Sequence, residues 1–225
     1  MLDVLTPLRR RLAAASLLAF VGLLIAQDLI DPTDRAGSNA DRLGAAVDHP
    51  NRLLAATVLL FLSSVAMLPS IVAVLGAVHD RGRWLARIGA GLAVLGALGH
   101  VGVATYYAAL SGLPGGDPEE MVAFLDRLDS SATAGVVLVP AIAGFALGVF
   151  LLGFALARSR VLPAWAAAIT FAAIVLEAAQ IQPWAPMHLA QTVAVVPFTW
   201  LAIRLLDPLG ARAPQARRDS AEAAP

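Results

Sequence analysis

A chain of 225 residues that is 59% hydrophobic and only 14% charged, with a mean hydropathy of +0.75, has too little charge to coat a soluble domain of its size. Sixteen basic and 16 acidic residues give a formal net charge of zero, so overall charge points to no partner and nucleic acid is not expected. There is no cysteine and no lysine, which excludes disulfides, thiolate metal sites, a cysteine nucleophile and lysine Schiff-base chemistry.

Apolar runs of about 20 residues, the length that crosses about 30 Å of hydrocarbon, recur along the chain. The first, 12–30, follows Arg9, Arg10 and Arg11. Basic residues before an apolar run also open secretory signal peptides. Here Leu24-Ile25-Ala26-Gln27-Asp28 lacks the small residue at −3 that cleavage prefers, which favours an uncleaved signal anchor. In the polar loop that follows, Ser38 with Asp41 three residues on predicts a short capped helix ending before Pro50. The second span, 53–78, contains Pro69 as a kink, with Ser63, Ser64 and Ser70 placed to satisfy backbone groups that the proline frees.

The turn His79-Asp80-Arg81-Gly82-Arg83 leads into a third span, 84–112. At about 100° per residue, its Gly89, Ala93, Gly96, His100, Ala104 and Tyr107 fall on one narrow face. Small residues there let a neighbouring backbone approach closely, so His100 is expected to point into a bundle and not at lipid. Asp117-Pro118-Glu119-Glu120 is a strong helix start, with an aspartate cap, a proline at the first helical position and acids in the first turn. The helix it opens sets Met121, Leu125 and Leu128 on one side with Phe124 beside them. It is too short and charged to span and is expected to lie on the membrane face.

Span four covers 132–157 with Pro140 inside it, span five 161–182 with Pro163 near its first turn, and span six 187–206. No internal repeat of fixed period is present. The expected fold is therefore all-α, a polytopic transmembrane bundle of six spans forming one domain over 1–206, with a short interfacial helix between spans three and four. Residues 207–225, rich in proline, alanine and arginine, are expected to form a disordered cytoplasmic tail.

Arginine placement sets the orientation. With an inside N-terminus, the inner segments hold Arg9, Arg10, Arg11, Arg81, Arg83, Arg87, Arg158, Arg160, Arg204, Arg212, Arg217 and Arg218, and the outer ones only Arg35, Arg42, Arg52 and Arg127. Both termini are expected on the cytoplasmic side of a bacterial cell membrane. Trp84, Trp165, Trp184 and Trp200 fall near span ends, as interfacial aromatic residues do. The inner arginines Arg81–Arg87 can meet anionic headgroups.

His49-Pro50-Asn51-Arg52 ahead of span two, Pro69 within it, and the Arg81-Gly82-Arg83 turn into a glycine-rich span three carry a resemblance. The chain resembles the small six-span integral membrane proteins of actinobacteria, over about its first half. That family has no established activity, so the resemblance implies a fold and no catalytic residue.

Polar groups inside the spans are the candidate site. Asp28, His100 and Glu177 each lie 16 residues beyond the inner end of their span, about 24 Å from the inner boundary at 1.5 Å per residue. Glu177 shares a face with Ala166, Thr170, Ala173 and Gln180, while His188, Gln191, Thr192 and Thr199 line one face of span six. These stripes predict a polar pocket in the outer half of the bundle, with His100 and Glu177 close enough to interact and Gln180, His188, Gln191 and Tyr107 around them. The competing expectation is hydrogen bonding across helices that only fixes packing. Asp28, on a face with Leu17, Val21 and Leu24, is expected at the interface. His100, His188, Glu177 and Asp28 have the chemistry of metal or haem ligands but no short-spaced motif, so no metal and no cofactor are expected. His79 and His49 read as solvated loop residues.

No Ser–His–Asp order, phosphate-binding glycine loop or paired catalytic carboxylates occurs. Three function classes stay open. The first is a small-solute or proton-linked transporter, the second an accessory subunit of another membrane protein, and the third a membrane-embedded enzyme. The expected partners are the lipid bilayer, a small ligand in the pocket, and other membrane proteins.

Overall fold

The computed structural model describes residues 6–33, 36–78, 81–112, 116–132, 135–136, 143–178 and 196–207. Among them are eight helices and no strand. Helix α1 (Pro7–Ile30) begins at Pro7 and not at Leu12, taking the three arginines into its first turns. Thr6 Oγ1 accepts from the Arg9 N–H at 3.4 Å, and Pro7 sits where a missing N–H loses nothing. Helix α2 (Asn39–Asp48) has the predicted start: Ser38 Oγ accepts from the Asp41 N–H at 3.1 Å and donates to Asp41 Oδ2 at 2.8 Å. His49 separates it from α3 (Pro50–Ala77), which starts on the proline three residues before Leu53.

Pro69 lies inside α3 and leaves the Val65 carbonyl without its helical donor. The nearby serines do not repair that gap. Ser63 and Ser64 both donate to the Leu60 carbonyl at 2.8 Å, and Ser70 donates to Ala66 at 2.8 Å. A helical hydroxyl reaches carbonyls three or four residues back, and none of the three serines stands at that spacing from Val65.

Helix α4 (Arg83–Ser111) matches the third expected span, and α5 (Pro118–Asp129) starts as predicted, with the Asp117 carboxylate accepting from the Glu119 N–H at 2.9 Å. Helix α6 (Phe145–Arg158) follows a π-type turn at 143–144. Helices α7 (Ala164–Ala178) and α8 (Val196–Leu206) carry parts of the fifth and sixth expected spans. The expected kink at Pro140, the loop residue His79, Trp184, the junction of spans five and six, and the tail beyond Asp207 lie outside the described residues. Helices α1, α3 and α4 are long and apolar enough to cross a membrane, and α6 and α8 are shorter apolar helices.

The apolar helices pack in a ring of neighbours: α1 on α3, α3 on α4, α4 on α6, α6 on α7, α7 on α8, and α8 back on α1. Inside the ring lie Leu17, Phe20, Met67, Ile71, Val74, Ala93, Val149, Leu152, Phe198 and Leu201, all nearly inaccessible. The outside is apolar as well. Val58, Phe61, Leu62, Val65, Leu68 and Val72 form the outward side of α3, with Val72 68% exposed. Lipid suits such a surface and water does not.

The two ends of the bundle differ in charge. Arg10 Nη2 donates to the Asp207 carbonyl at 3.3 Å, joining the start of α1 to the end of α8. Arg158 Nε donates to the Arg81 carbonyl at 3.1 Å, joining the end of α6 to the α3–α4 turn. One end thus gathers Arg9, Arg10, Arg11, Arg81, Arg83, Arg158, Arg160 and Arg204. The opposite end is closed by α2 and α5, which pack on each other and around the last turns of α4. Leu43, Ala46, Leu53, Leu110 and Leu125 form a separate small core there. Asn39 Nδ2 donates to Asp126 Oδ1 at 2.8 Å and to Asp129 Oδ2 at 3.1 Å, and Arg42 pairs with Asp129 at 3.3 Å. Helix α5 buries Leu125 against this cap and leaves Phe124 48% exposed.

Candidate functional site

His100 stands on the face of α4 that the periodicity selects, and that face packs against α6. A Cβ on Gly96 would lie 2.5 Å from the Phe145 backbone nitrogen, and one on Gly148 would lie 2.5 Å from that of Ala93. The two backbones touch because glycines on both helices leave room. One turn beyond Gly96, the half-buried imidazole of His100 meets the Phe145 ring, with centroids 4.7 Å apart and planes inclined at 40°. Phe145 continues to Phe20 on α1 at 6.3 Å, and Phe20 to Phe198 on α8 at 5.6 Å in an edge-on contact. An aromatic string therefore runs from His100 through the core and ties α4, α6, α1 and α8 together. Among the described residues the His100 ring is held by the Phe145 contact, and no hydrogen-bond partner reaches its nitrogens.

Phe145, Phe20 and Phe198 do not stand out in the sequence. Each is one apolar residue in an apolar run, and only tertiary packing makes them a chain.

A second polar centre sits at the C-terminal end of α1. Asp31 is 8% exposed, Gln27 7% and Thr33 6%. Asp31 Oδ2 accepts from Gln27 Nε2 at 3.1 Å, and Oδ1 accepts from the Thr33 N–H at 2.8 Å and from Thr33 Oγ1 at 2.7 Å. An acid just past a helix C-terminus faces the negative end of the dipole, so these donors are what hold it there. The signal for it was local and readable: Asp31-Pro32-Thr33 has the spacing of an aspartate turn, in which the side chain accepts from the N–H two residues on. Asp28, the acid selected from span depth, is half-buried and has a partner of its own.

Tyr107 shares the His100 face but packs, with Tyr106, against the α2–α5 cap cluster; the two rings lie 6.1 Å apart. Thr170 and Glu177 belong to α7, and their side chains lie outside the described residues, as do Gln180, His188 and Gln191 entirely. The expected meeting of His100 and Glu177 therefore falls outside them too. Helix α6 packs against both α4, which carries His100, and α7, which carries Glu177. Among the described residues no group of three or more histidine, aspartate and glutamate side chains is placed to hold a metal ion.

These features define a helical bundle suited to a membrane, with an ionisable ring at a tight helix seam and a buried acid near one end. No protein-family model, no curated protein and no solved structure matches the chain, so the functional reading comes from its own residues.

Proposed function

We propose that this chain is a six-span protein of a bacterial cell membrane, with both termini cytoplasmic, that carries a small solute in step with a proton. Its pocket would occupy the outer half of the bundle around His100, completed by the polar stripes of Thr170, Glu177 and Gln180 and of His188 and Gln191. One observation supports this most: an imidazole without a hydrogen-bond partner among the described residues, packed on Phe145 at a seam of glycines. Intramembrane ionisable groups are expensive to keep and commonly mark ion or proton paths. The gathering of arginines at one end of the bundle supports the orientation, and the cap of α2 and α5 would then cover the pocket from outside.

The test is proton movement in vesicles reconstituted with the purified protein, followed by a trapped pH dye as pools of amino acids, organic acids and sugars are added. Proton flux evoked by one pool, and abolished in a folded His100→Gln variant, is expected. Flux equal to that of empty vesicles with every pool would remove the reading.

A second reading, an accessory subunit, is favoured by the outward side of α1. Ala15, Ala19 and Gly22 are exposed there, and a Cβ on Gly22 would meet nothing within 4 Å. Small residues facing lipid admit another helix. An Ala19→Cys variant of this cysteine-free chain should then cross-link within the native membrane, and its failure to do so would discard this alternative.

A further inference from the structure

We propose that the arginine-rich end of the bundle holds a binding site for a phosphate-bearing anion, between the start of α7 and the end of α8. An open surface groove of about 410 Å³ lies there, lined by Arg160, Leu162, Pro163, Trp165, Trp200 and Arg204. That volume is within the range of small-ligand sites, about 300–1,000 Å³. Arg160 lines it from the turn after α6 and Arg204 from α8, and neither is paired with a carboxylate among the described residues. Guanidinium groups present a planar fork of donors that matches phosphate oxygens.

Two further observations converge on the same wall. The Trp200 indole Nε1–H is buried and has no acceptor among the described residues. Buried donors are nearly always satisfied, so this one leaves the Trp200 wall short of an acceptor. The indole is also fixed in place, packed edge-on against Trp165 with centroids 5.7 Å apart at 88°, and covered by Arg204 with Cζ 5.6 Å from the ring centroid. The Trp200 and Arg204 wall of the site is therefore held in place.

The backbone adds a third observation. Arg160 is the one non-glycine residue with a positive φ, 57°, among the described residues. It occupies the left-handed position that closes α6, where its own N–H donates to Ala157 at 2.9 Å and the Val161 N–H donates to Leu156 at 3.0 Å. Glycine is the residue that such a position favours. The chain places an arginine there instead, and strain kept at a pocket wall is a sign of a functional side chain.

An anionic phospholipid headgroup and a free phosphate ester share this chemistry. This site lies toward the other end of the bundle from His100 and shares no residue with the proposed transport pocket. The test is native mass spectrometry of the full-length protein in detergent with dioleoyl phosphatidylglycerol, with dioleoyl phosphatidylcholine, and with inorganic phosphate as competitor. One phosphatidylglycerol should be retained in preference to phosphatidylcholine. Arg160→Gly and Arg204→Gln should each weaken retention at least about tenfold, equivalent to about 1.4 kcal/mol. Arg160→Gly relieves the backbone, so its thermal unfolding should be unchanged or higher, which separates ligand loss from fold loss. Displacement by millimolar inorganic phosphate would support the site with a soluble phosphate as its ligand, and resistance to it would support the lipid. Equal retention of both lipids with no effect of phosphate overturns the proposal, whatever the variants do. Loss of binding no greater in the arginine variants than in Arg9→Gln overturns it as well.

Discussion

Gly96 and Phe145 meet backbone to backbone, and the same Phe145 carries the ring that packs on His100. The helix seam and the candidate site are therefore one structure. Anything that parts α4 from α6 moves the imidazole away from its only described ring contact.

Side chains at the seam should then be far more damaging than side chains elsewhere on α4. Gly96→Ala and Gly148→Ala each place a methyl against main chain, and overpacking of this kind costs typically about 1–3 kcal/mol. Gly91→Ala, on the same helix, meets nothing within 4 Å and should stabilise by up to about 1 kcal/mol through helix propensity alone. Unfolding of the three variants in detergent checks this. A Gly96→Ala protein as stable as Gly91→Ala would mean the two helices are not in contact.

How much of this was legible in the sequence depended on distance along the chain. The α4 packing face could be read because glycine and alanine recur there at helical spacing, and the Ser38 and Asp117 caps could be read because capping is local. Apolarity marks spans from 12 and 53, whereas the helices that carry them open earlier, at Pro7 and Pro50. The pairing of Asn39 with Asp126 links residues 87 positions apart, and no periodicity reports such a contact. Depth counted along the helix points to Asp28, whereas Asp31 is buried by a turn beyond the helix end, which such counting does not report.

The Asp31 centre should behave as a structural clamp at the C-terminal end of α1. Asp31→Ala leaves the Gln27 amide and the Thr33 hydroxyl buried without their acceptor, with an expected loss of about 1–3 kcal/mol. Thr33→Ser keeps both of its donors to Oδ1 and should change stability by only a few tenths of that. Thermal melts in detergent distinguish the two. Equal stability of Asp31→Ala and wild type would mean that water takes over the donors and that the cluster is not closed.

The cap should owe its attachment to Leu125 and not to its ion pair. Leu125 is 1% exposed, and a buried leucine truncated to alanine costs about 2–5 kcal/mol. The Arg42 and Asp129 side chains remain 41% and 36% exposed, where an ion pair is worth about 1 kcal/mol or less. Hydrogen exchange over residues 118–129 should therefore rise strongly in Leu125→Ala and little in Arg42→Ala. The reverse order would show α5 to be held by charge.

Membrane orientation can be tested with unusual clarity, because every introduced cysteine is the only one in the chain. The structure decides which positions to use. Gly82 is a poor choice for the α3–α4 turn, since a Cβ there would lie 2.5 Å from the Ala155 carbonyl oxygen. The neighbouring Arg81 is exposed, and its backbone carbonyl, not its side chain, accepts from Arg158, so Arg81→Cys should preserve the fold. At the other end Asn39 is engaged with Asp126 and Asp129, whereas Gly116 is exposed ahead of the Asp117 cap. With the arginine-rich end cytoplasmic, a membrane-impermeant maleimide added to intact cells should label Gly116→Cys and spare Arg81→Cys until the cells are opened. Labelling of Arg81→Cys from outside would invert the orientation. It would put the α2–α5 cap in the cytoplasm and the pocket of Arg160 and Arg204 on the outer surface.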